Sequence, residues 1–235
     1  YYRFGEILRN TIALSVLKLI FTFPAPIILA LLFNELKSVR FSKIIQNVSY
    51  LPHFISLVVV CGIIKDFTSD SGIVTSFLSI FGVPKVSLLN YPKYFVPVYV
   101  ASEVWKGAGW GSIIYLAALT GIDSSLYEAA TIDGAGRFKQ LIHVTLPGIS
   151  ATIIMMLIIR IGNILSVGYE KLILLYNDAT LEVADVISTY VYRKGLLEQN
   201  WSFSTAVGLF NSAVNLILVF GANFISKKVN DYGLW

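Results

Sequence analysis

Apolar residues gather along this chain in five long stretches, separated by polar connections of unequal length. A helix needs about 20 mostly apolar residues to cross the hydrocarbon core of a bilayer. The stretches at about 11–33, 44–67, 94–119, 149–169 and 203–225 reach that length. Pro24 and Pro26 predict a kink in the first. Pro52 and His53 lie in the first half of the second, and the second and third are less cleanly apolar than the others. The pattern predicts an all-α integral membrane protein: one domain over 1–235, built as a polytopic bundle of five visible spans.

The connections add orientation. The short 34–43 loop holds Lys37, Arg40 and Lys43. The 68–92 connection is longer, rich in Ser, Gly and Pro, with a weakly amphipathic piece at 73–81. The 121–147 segment is polar but helical in pattern, and 170–201 mixes acids with aromatic residues. Placing 34–43, 121–147 and the Lys227-Lys228 tail in the cytoplasm concentrates basic residues on the shorter inner loops, so charge favours that orientation slightly.

Composition agrees with lipid as the solvent. Hydrophobic residues make up 56% of the chain and charged residues 14%, against about 25% charged in soluble domains; mean hydropathy is +0.72. The net charge of +4 forms no basic stripe, which excludes a nucleic-acid partner. Cys61 is the lone cysteine and reads as a small buried hydrophobe. His53 and His143 lack a second ligand at metal spacing, so no metal site is expected. The chain has no P-loop and no nucleophile–base constellation, so neither a nucleotide site nor a catalytic site is expected in it. It begins Tyr1-Tyr2-Arg3 without a methionine, and an upstream piece is expected to be missing.

Segment 121–147 has local physics of its own. Ser125 is positioned to cap a helix, with Glu128 completing a capping box. Leu126, Ala129 and Ala130 then share a face, and Gly134 is placed to end the helix in the left-handed conformation. A second short helix follows, with Phe138, Leu141 and Ile142 on its apolar side and Arg137 and Lys139 on its polar side. Pro147 is expected to start the next span. The result is a helix–turn–helix on the membrane surface, which serves either as a docking knob or simply as a capped connection.

Ionisable groups inside spans are expensive and usually face protein or a water-filled path. Glu103 and Lys106, three apart, are expected to pair; Arg160 with Asn163 is expected to face the interior; Lys18 is expected to snorkel. The Gly107-Ala-Gly109-Trp-Gly111 run predicts close helix packing or a break.

Glu128-Ala129-Ala130, Gly134, Val144 and Leu146-Pro147 fall at the spacing of the EAA loop of permease subunits in bacterial ABC importers. Val144 stands where isoleucine is commoner. Trp110-Gly-Ser-Ile-Ile-Tyr-Leu-Ala-Ala-Leu-Thr-Gly-Ile-Asp123, Asn177, Asp185-Val-Ile-Ser-Thr-Tyr-Val-Tyr192 and Gly208-Leu-Phe-Asn-Ser212 resemble the carbohydrate branch, in its LplB-like subfamily. The likeness covers nearly the whole chain. It implies a sixth span upstream, a multi-pass place in the bacterial plasma membrane, and import of an oligosaccharide or a polysaccharide-derived sugar. Glu128, Ala129, Ala130, Asp133, Gly134, Arg137 and Phe138 would couple to the ATPase, with Glu128 and Gly134 most sensitive.

The implied partners are a second homologous permease in a heterodimer, two cytoplasmic ATPase subunits that hold the ATP and Mg2+, and an extracellular solute-binding protein that docks on 68–92 and 170–201. Glu103, Trp105, Lys106, Trp110, Tyr115, Arg160, Asn163, Asn211 and Asn215 supply the ionic, aromatic and planar polar groups of a sugar path. The interfacial aromatic belt and interhelical hydrogen bonding compete for several of them. An ion-gradient-driven transporter, with Glu103 or Arg160 as relay, is the alternative.

Overall fold

Prolines, glycines and a few buried polar groups decide where this apolar chain bends. The computed structural model describes residues 4–230 together with Gly233 and Leu234; the regular elements among these residues are all helices, with no strand. The first apolar stretch forms α1 (Phe4–Thr22) and α2 (Pro24–Asn34). They run on as a single candidate span, Phe4–Asn34, with a one-residue turn at Phe23 where the kink was expected. Pro24 opens α2, where its missing N–H costs little.

The second stretch does not form one straight span. It divides into α3 (Val39–Phe54) and α4 (Leu57–Phe67), bent by 103°. The break falls at Ile55-Ser56, while Pro52 remains inside α3 and buried. Freed backbone carbonyls need partners at membrane depth. Lys106 supplies them: its Nζ donates to the carbonyls of Pro52, His53 and Ile55 at 3.3, 3.3 and 3.0 Å. A cation there also suits the negative end of α3. The Ser56 hydroxyl accepts from the Val59 N–H and caps α4. The amphipathic piece of the next connection forms α5 (Ile73–Ser79).

The long central helix α6 (Pro92–Thr120) packs against α1, α2 and α3. Its charged and small residues leave it short of the hydropathy of a lipid-facing span, because much of its surface faces protein. The glycine run allows close approach. A side chain at Gly109 would collide with the Ser49 carbonyl of α3, and one at Gly111 would press on the Pro26 ring.

Segment 121–147 becomes α7 (Ser124–Ile132) and α8 (Arg137–Gly148), the latter widened to a π turn over Leu141–Thr145. Helix α8 passes through Pro147, where the next span was expected to start, and α9 (Ser150–Gly162) leaves it at 60°. The expected fourth span, 149–169, is therefore helical over only 13 residues before it turns at Asn163. The largest departure follows. Segment 170–201 is not a free outer loop. It folds as α10 (Tyr169–Leu175), α11 (Leu181–Ala184) and α12 (Ile187–Val191). Leu172, Leu175, Ala184 and Val186 share one buried cluster with Leu14 of α1, Val60 of α4 and Phe95 and Tyr99 of α6. Cys61 lies in that cluster too, 2% exposed.

The last helix, α13 (Trp201–Asn230), leans on α9, with Gly162 closely apposed to Val219. None of the residues in its most apolar stretch is buried. Among the described residues, two helices, Phe4–Asn34 and Trp201–Lys228, are thus long and apolar enough to cross a bilayer unbroken, and the two bent pairs raise the number to four if each counts as one span.

Gly109→Ala is expected to lower stability by about 1–3 kcal/mol through overpacking against Ser49. Gly107→Ala, which meets nothing within 4 Å, is expected to be neutral or to stabilise by up to about 1 kcal/mol. Thermal unfolding of the two purified variants in the same detergent distinguishes them.

Candidate functional site

Polar side chains concentrate in two places, one among the helices and one on the 121–147 surface. Among the helices, Glu103 is the centre. Its Oε2 lies 2.7 Å from Lys18 Nζ of α1 and its Oε1 lies 2.8 Å from Lys171 Nζ of α10. The expected pair with Lys106 does not form, because Lys106 is turned to the α3 carbonyls. Lys18 does not simply snorkel. The Lys171 side chain is 4% exposed and its ammonium also lies 5.3 Å from the Tyr99 ring centre.

Hydrogen bonds complete the attachment of 169–191 to α1. Asn10 Nδ2 donates to the carbonyls of Glu182 and Asp185 at 2.7 and 3.2 Å. Thr11 Oγ1 accepts from the Ile187 N–H at 2.9 Å and donates to the Ile7 carbonyl at 2.7 Å. Asp185 is in turn held by Thr189 Oγ1 at 2.7 Å and Arg193 Nη2 at 2.6 Å. Sequence reasoning did not single out Lys171, Asn10, Thr11 or Arg193. The Asn10-Thr11 pair at the head of an apolar stretch carried a signal; Lys171 carried none, since it stood in what looked like a loop.

The nine expected path residues do not form one group. Arg160 and Asn163 share a cavity with Ser15, Lys18 and Ser166. Asn215 reaches the same region through Ser166, Nδ2 to Oγ at 3.5 Å. The side-chain oxygens of Asn211 and Asn215 are buried without a partner. Trp110 stacks on His53, ring centres 4.7 Å apart, with Phe54 edge-on at 5.4 Å. Tyr115 is packed among Ile27, Ala30, Leu119 and Ile149. Trp105 lines a separate, mostly apolar cavity beside Ile63, Phe67 and Val74.

On the 121–147 surface the cap differs from expectation. Asp123, not Ser125, caps α7: its Oδ1 accepts from the Ser125 N–H at 2.9 Å, a bond that holds the Asp123 carboxyl below the usual carboxylate range. Gly134 stops the helix as expected, at φ +75°. The Gly134 N–H bonds to the Thr131 carbonyl at 3.0 Å and the Ala135 N–H to the Ala130 carbonyl at 2.8 Å, the paired bonds of a Schellman stop. Gln140 Nε2 ties α8 back to Thr131 Oγ1 and the Ala135 carbonyl at 3.0 and 3.1 Å. Tyr127 Oη meets Thr145 Oγ1 at 3.0 Å. Arg137 reaches Glu35 at 3.7 Å, an exposed pair. The turn is fixed from inside while its outer face stays open: Glu128, Ala129 and Asp133 are exposed, Ile132 is 87% exposed and Phe138 71%; Ala130 is half-buried.

The family of binding-protein-dependent transport system inner membrane components matches residues 8–231. Among curated relatives, protein LplB of Bacillus subtilis strain 168 is 46% identical over 233 residues, covering 99% of this chain and 73% of the relative. The polygalacturonan/rhamnogalacturonan transport system permease protein YteP of the same organism is 44% identical over the same length, again covering 99% and 73%. A solved bacterial alginate ABC transporter, in complex with an alginate pentasaccharide-bound periplasmic protein, contains a chain 46% identical to this one. The two superpose with a TM-score of 0.94, covering 100% of this chain and 82% of that one.

Glu103→Gln is expected to destabilise the protein by about 3–5 kcal/mol, because it leaves two ammonium groups without their carboxylate. Glu103→Gln with Lys171→Met is expected to recover part of that loss, since the more deeply buried cation is removed with its partner. Unfolding midpoints of both variants check the sign of the coupling.

Proposed function

The chain belongs to the family of binding-protein-dependent transport system inner membrane components, and we propose that it forms, with a second homologous permease, the membrane path of an oligosaccharide-importing ABC transporter. The observation that carries this reading is the 121–147 turn. Its hydrogen bonds are spent internally, and it still presents Glu128, Ala129, Ile132 and Phe138 outward. A rigid projection with small and apolar residues on its open face is built to be gripped. The gripping partner is a cytoplasmic ATPase subunit, one for each permease, and ATP with Mg2+ is held there rather than in this chain.

On this reading α7 and α8 move as one body when the ATPase subunits close. Helix α8 continues through its π turn to α9, so displacement of the knob is delivered to α9 and to Arg160 and Asn163 at its far end. Helix α6 serves as a fifth crossing, shielded by α1, α2 and α3 rather than by its own hydropathy. On this reading the bent pairs supply two further crossings, which puts the 121–147 turn on the same side as the basic 34–43 connection and the Lys227-Lys228 tail, the side that we assign to the cytoplasm. The extracellular binding protein docks at the opposite end. There Asn177 Nδ2 joins the two outer segments by bonds to Asn90 Oδ1 at 2.8 Å and the Leu89 carbonyl at 3.2 Å. The alternative of a gradient-driven carrier gains no support from Glu103, whose two oxygens are already engaged by lysines.

Gly134→Asp tests the coupling role. The positive φ disfavours a side chain by about 1–2 kcal/mol, and the new carboxylate stands on the docking face. The variant is expected to insert and assemble, and to retain basal ATP hydrolysis while uptake in proteoliposomes falls at least tenfold. Wild-type uptake is expected to require ATP and to be blocked by vanadate. Uptake driven by an ion gradient without the ATPase subunits would overturn the reading.

A further inference from the structure

Helix α5 has three sides that differ in character. Thr75 is 0% exposed and Leu78 half-buried, on the side that packs against the bundle. Ile73 and Phe77, with Ile80 and Phe81 in the turn that closes the helix, share a second side, and all four are exposed. The Phe77 and Phe81 rings meet edge-on at 5.4 Å. Ser76 and Ser79 stand on the third, polar side, and no charged residue lies between Asp70 and Lys85. The position of this helix is fixed. A side chain at Gly72 would collide with the carbonyls of Phe67 and Asp66, so the chain turns tightly from the end of α4 into α5. The Leu88 N–H then bonds to the Thr68 carbonyl at 2.9 Å, which brings the chain back to the same level before α6 starts. Tyr91 and Tyr94 stand at that start, with Lys93 over the Tyr94 ring at 5.4 Å. These are residue types of the membrane–water boundary.

We propose that α5 is an interfacial anchor, seated with Ile73, Phe77, Ile80 and Phe81 among the acyl chains of the outer leaflet and with Ser76 and Ser79 toward water. An uncharged helix with one apolar and one polar side gains most by lying in the plane of that boundary. Its apolar side is continuous with the flanks of α4 and α6. The cavity of about 320 Å³ between them is bordered by Val74 of α5 and walled by Ile63, Phe67 and Val98. The hydroxyls there, on Thr68 and Ser102, already donate to the Ile64 and Tyr99 carbonyls at 2.7 Å. A protein partner is matched by hydrogen-bonding groups around an apolar centre. The rim of α5 carries no charge, and the Ser79 hydroxyl is spent on the Ser76 carbonyl at 2.7 Å. The inference rests on the crossings assigned above, which put α5 opposite the 121–147 turn, and on nothing about what is carried. Because Gly72 ties α5 closely to α4, the anchor holds the outer end of the bent α3–α4 pair in place while the knob moves at the other face.

The test uses the assembled transporter in a Cys61→Ser background, with one nitroxide-labelled cysteine replacing Ser76, Phe77 or Ile80, reconstituted in vesicles of phosphatidylcholine and phosphatidylglycerol. Collision of the nitroxide with oxygen, which concentrates among acyl chains, is compared with its collision with a water-soluble nickel chelate. The oxygen-to-nickel ratio at positions 77 and 80 is expected to be at least about fivefold that at position 76, one residue away on the polar side. Equal ratios, with nickel collisions frequent at all three positions, put the apolar side in water and overturn the inference. Infrequent collisions with both reagents at 77 and 80 put that side against protein, such as the second permease, and overturn it as well. Sidedness is read separately. Ser71→Cys in the same background is expected to react with a membrane-impermeant maleimide in right-side-out vesicles only. Reaction in inside-out vesicles only defeats the crossing assignment and the leaflet named here together. Failure at 77 and 80 with Ser71→Cys labelled from outside defeats the anchor alone.

Discussion

A carboxylate held between two ammonium groups inside an apolar bundle constrains much of this protein. Glu103 on α6 joins Lys18 on α1 to Lys171 on α10, and the three charges are tolerable at that depth only together. Between Gly162 and α13, α10 and α11 are 7 and 4 residues long, and the 5 residues of α12 run on into a 6-residue π segment, Tyr192–Leu197. Helices so short are not stable by themselves. They persist because Leu172, Leu175 and Val186 are buried, because Asn10 and Thr11 satisfy their backbone, and because Lys171 is anchored to Glu103. These ties run to α1, α4 and α6, so the ionic node and the folded-in segment specify one another.

The opposite end follows a different rule. In α7 and α8 the side chains that hold the turn are Asp123, Gln140, Tyr127 and Thr145, while the residues that face outward make few contacts. The end that holds Glu103 is fixed by charge and burial; the 121–147 turn is fixed by its own hydrogen bonds and by one exposed ion pair, Arg137 to Glu35. Between them α8 and α9 form a bent but continuous connection, and α6 crosses the bundle on small residues that bring α3 and α2 close.

Much of this was legible in residue patterns. Helical class, the long α6 helix, the amphipathic α5, the glycine contacts and the left-handed Gly134 each follow from local chemistry: apolar length, small residues and a positive φ. What was not legible depends on contacts distant in sequence. The break at Ile55-Ser56 is stabilised by Lys106, some fifty residues away, so nothing near Pro52 announced it. The cap is Asp123, whose carboxylate takes the Ser125 N–H itself, so Ser125 lies inside the first turn instead of before it. Lys171 looked like a loop residue because its helix is seven residues long and its partner stands on another helix. The family likeness was readable because 121–147 is a local motif; the path residues were not, because Trp105, Tyr115 and Arg160 lie in three different environments that only the packing separates.

The central claim is that the 121–147 turn is an inward docking knob. Its most direct test is the reactivity of a single cysteine at Ala130, in a Cys61→Ser background, toward a membrane-impermeant maleimide. The account predicts labelling in inside-out vesicles stripped of ATPase subunits, protection when those subunits are added back, and no labelling in right-side-out vesicles. Labelling from the outer face, or labelling that bound ATPase leaves unchanged, would contradict it.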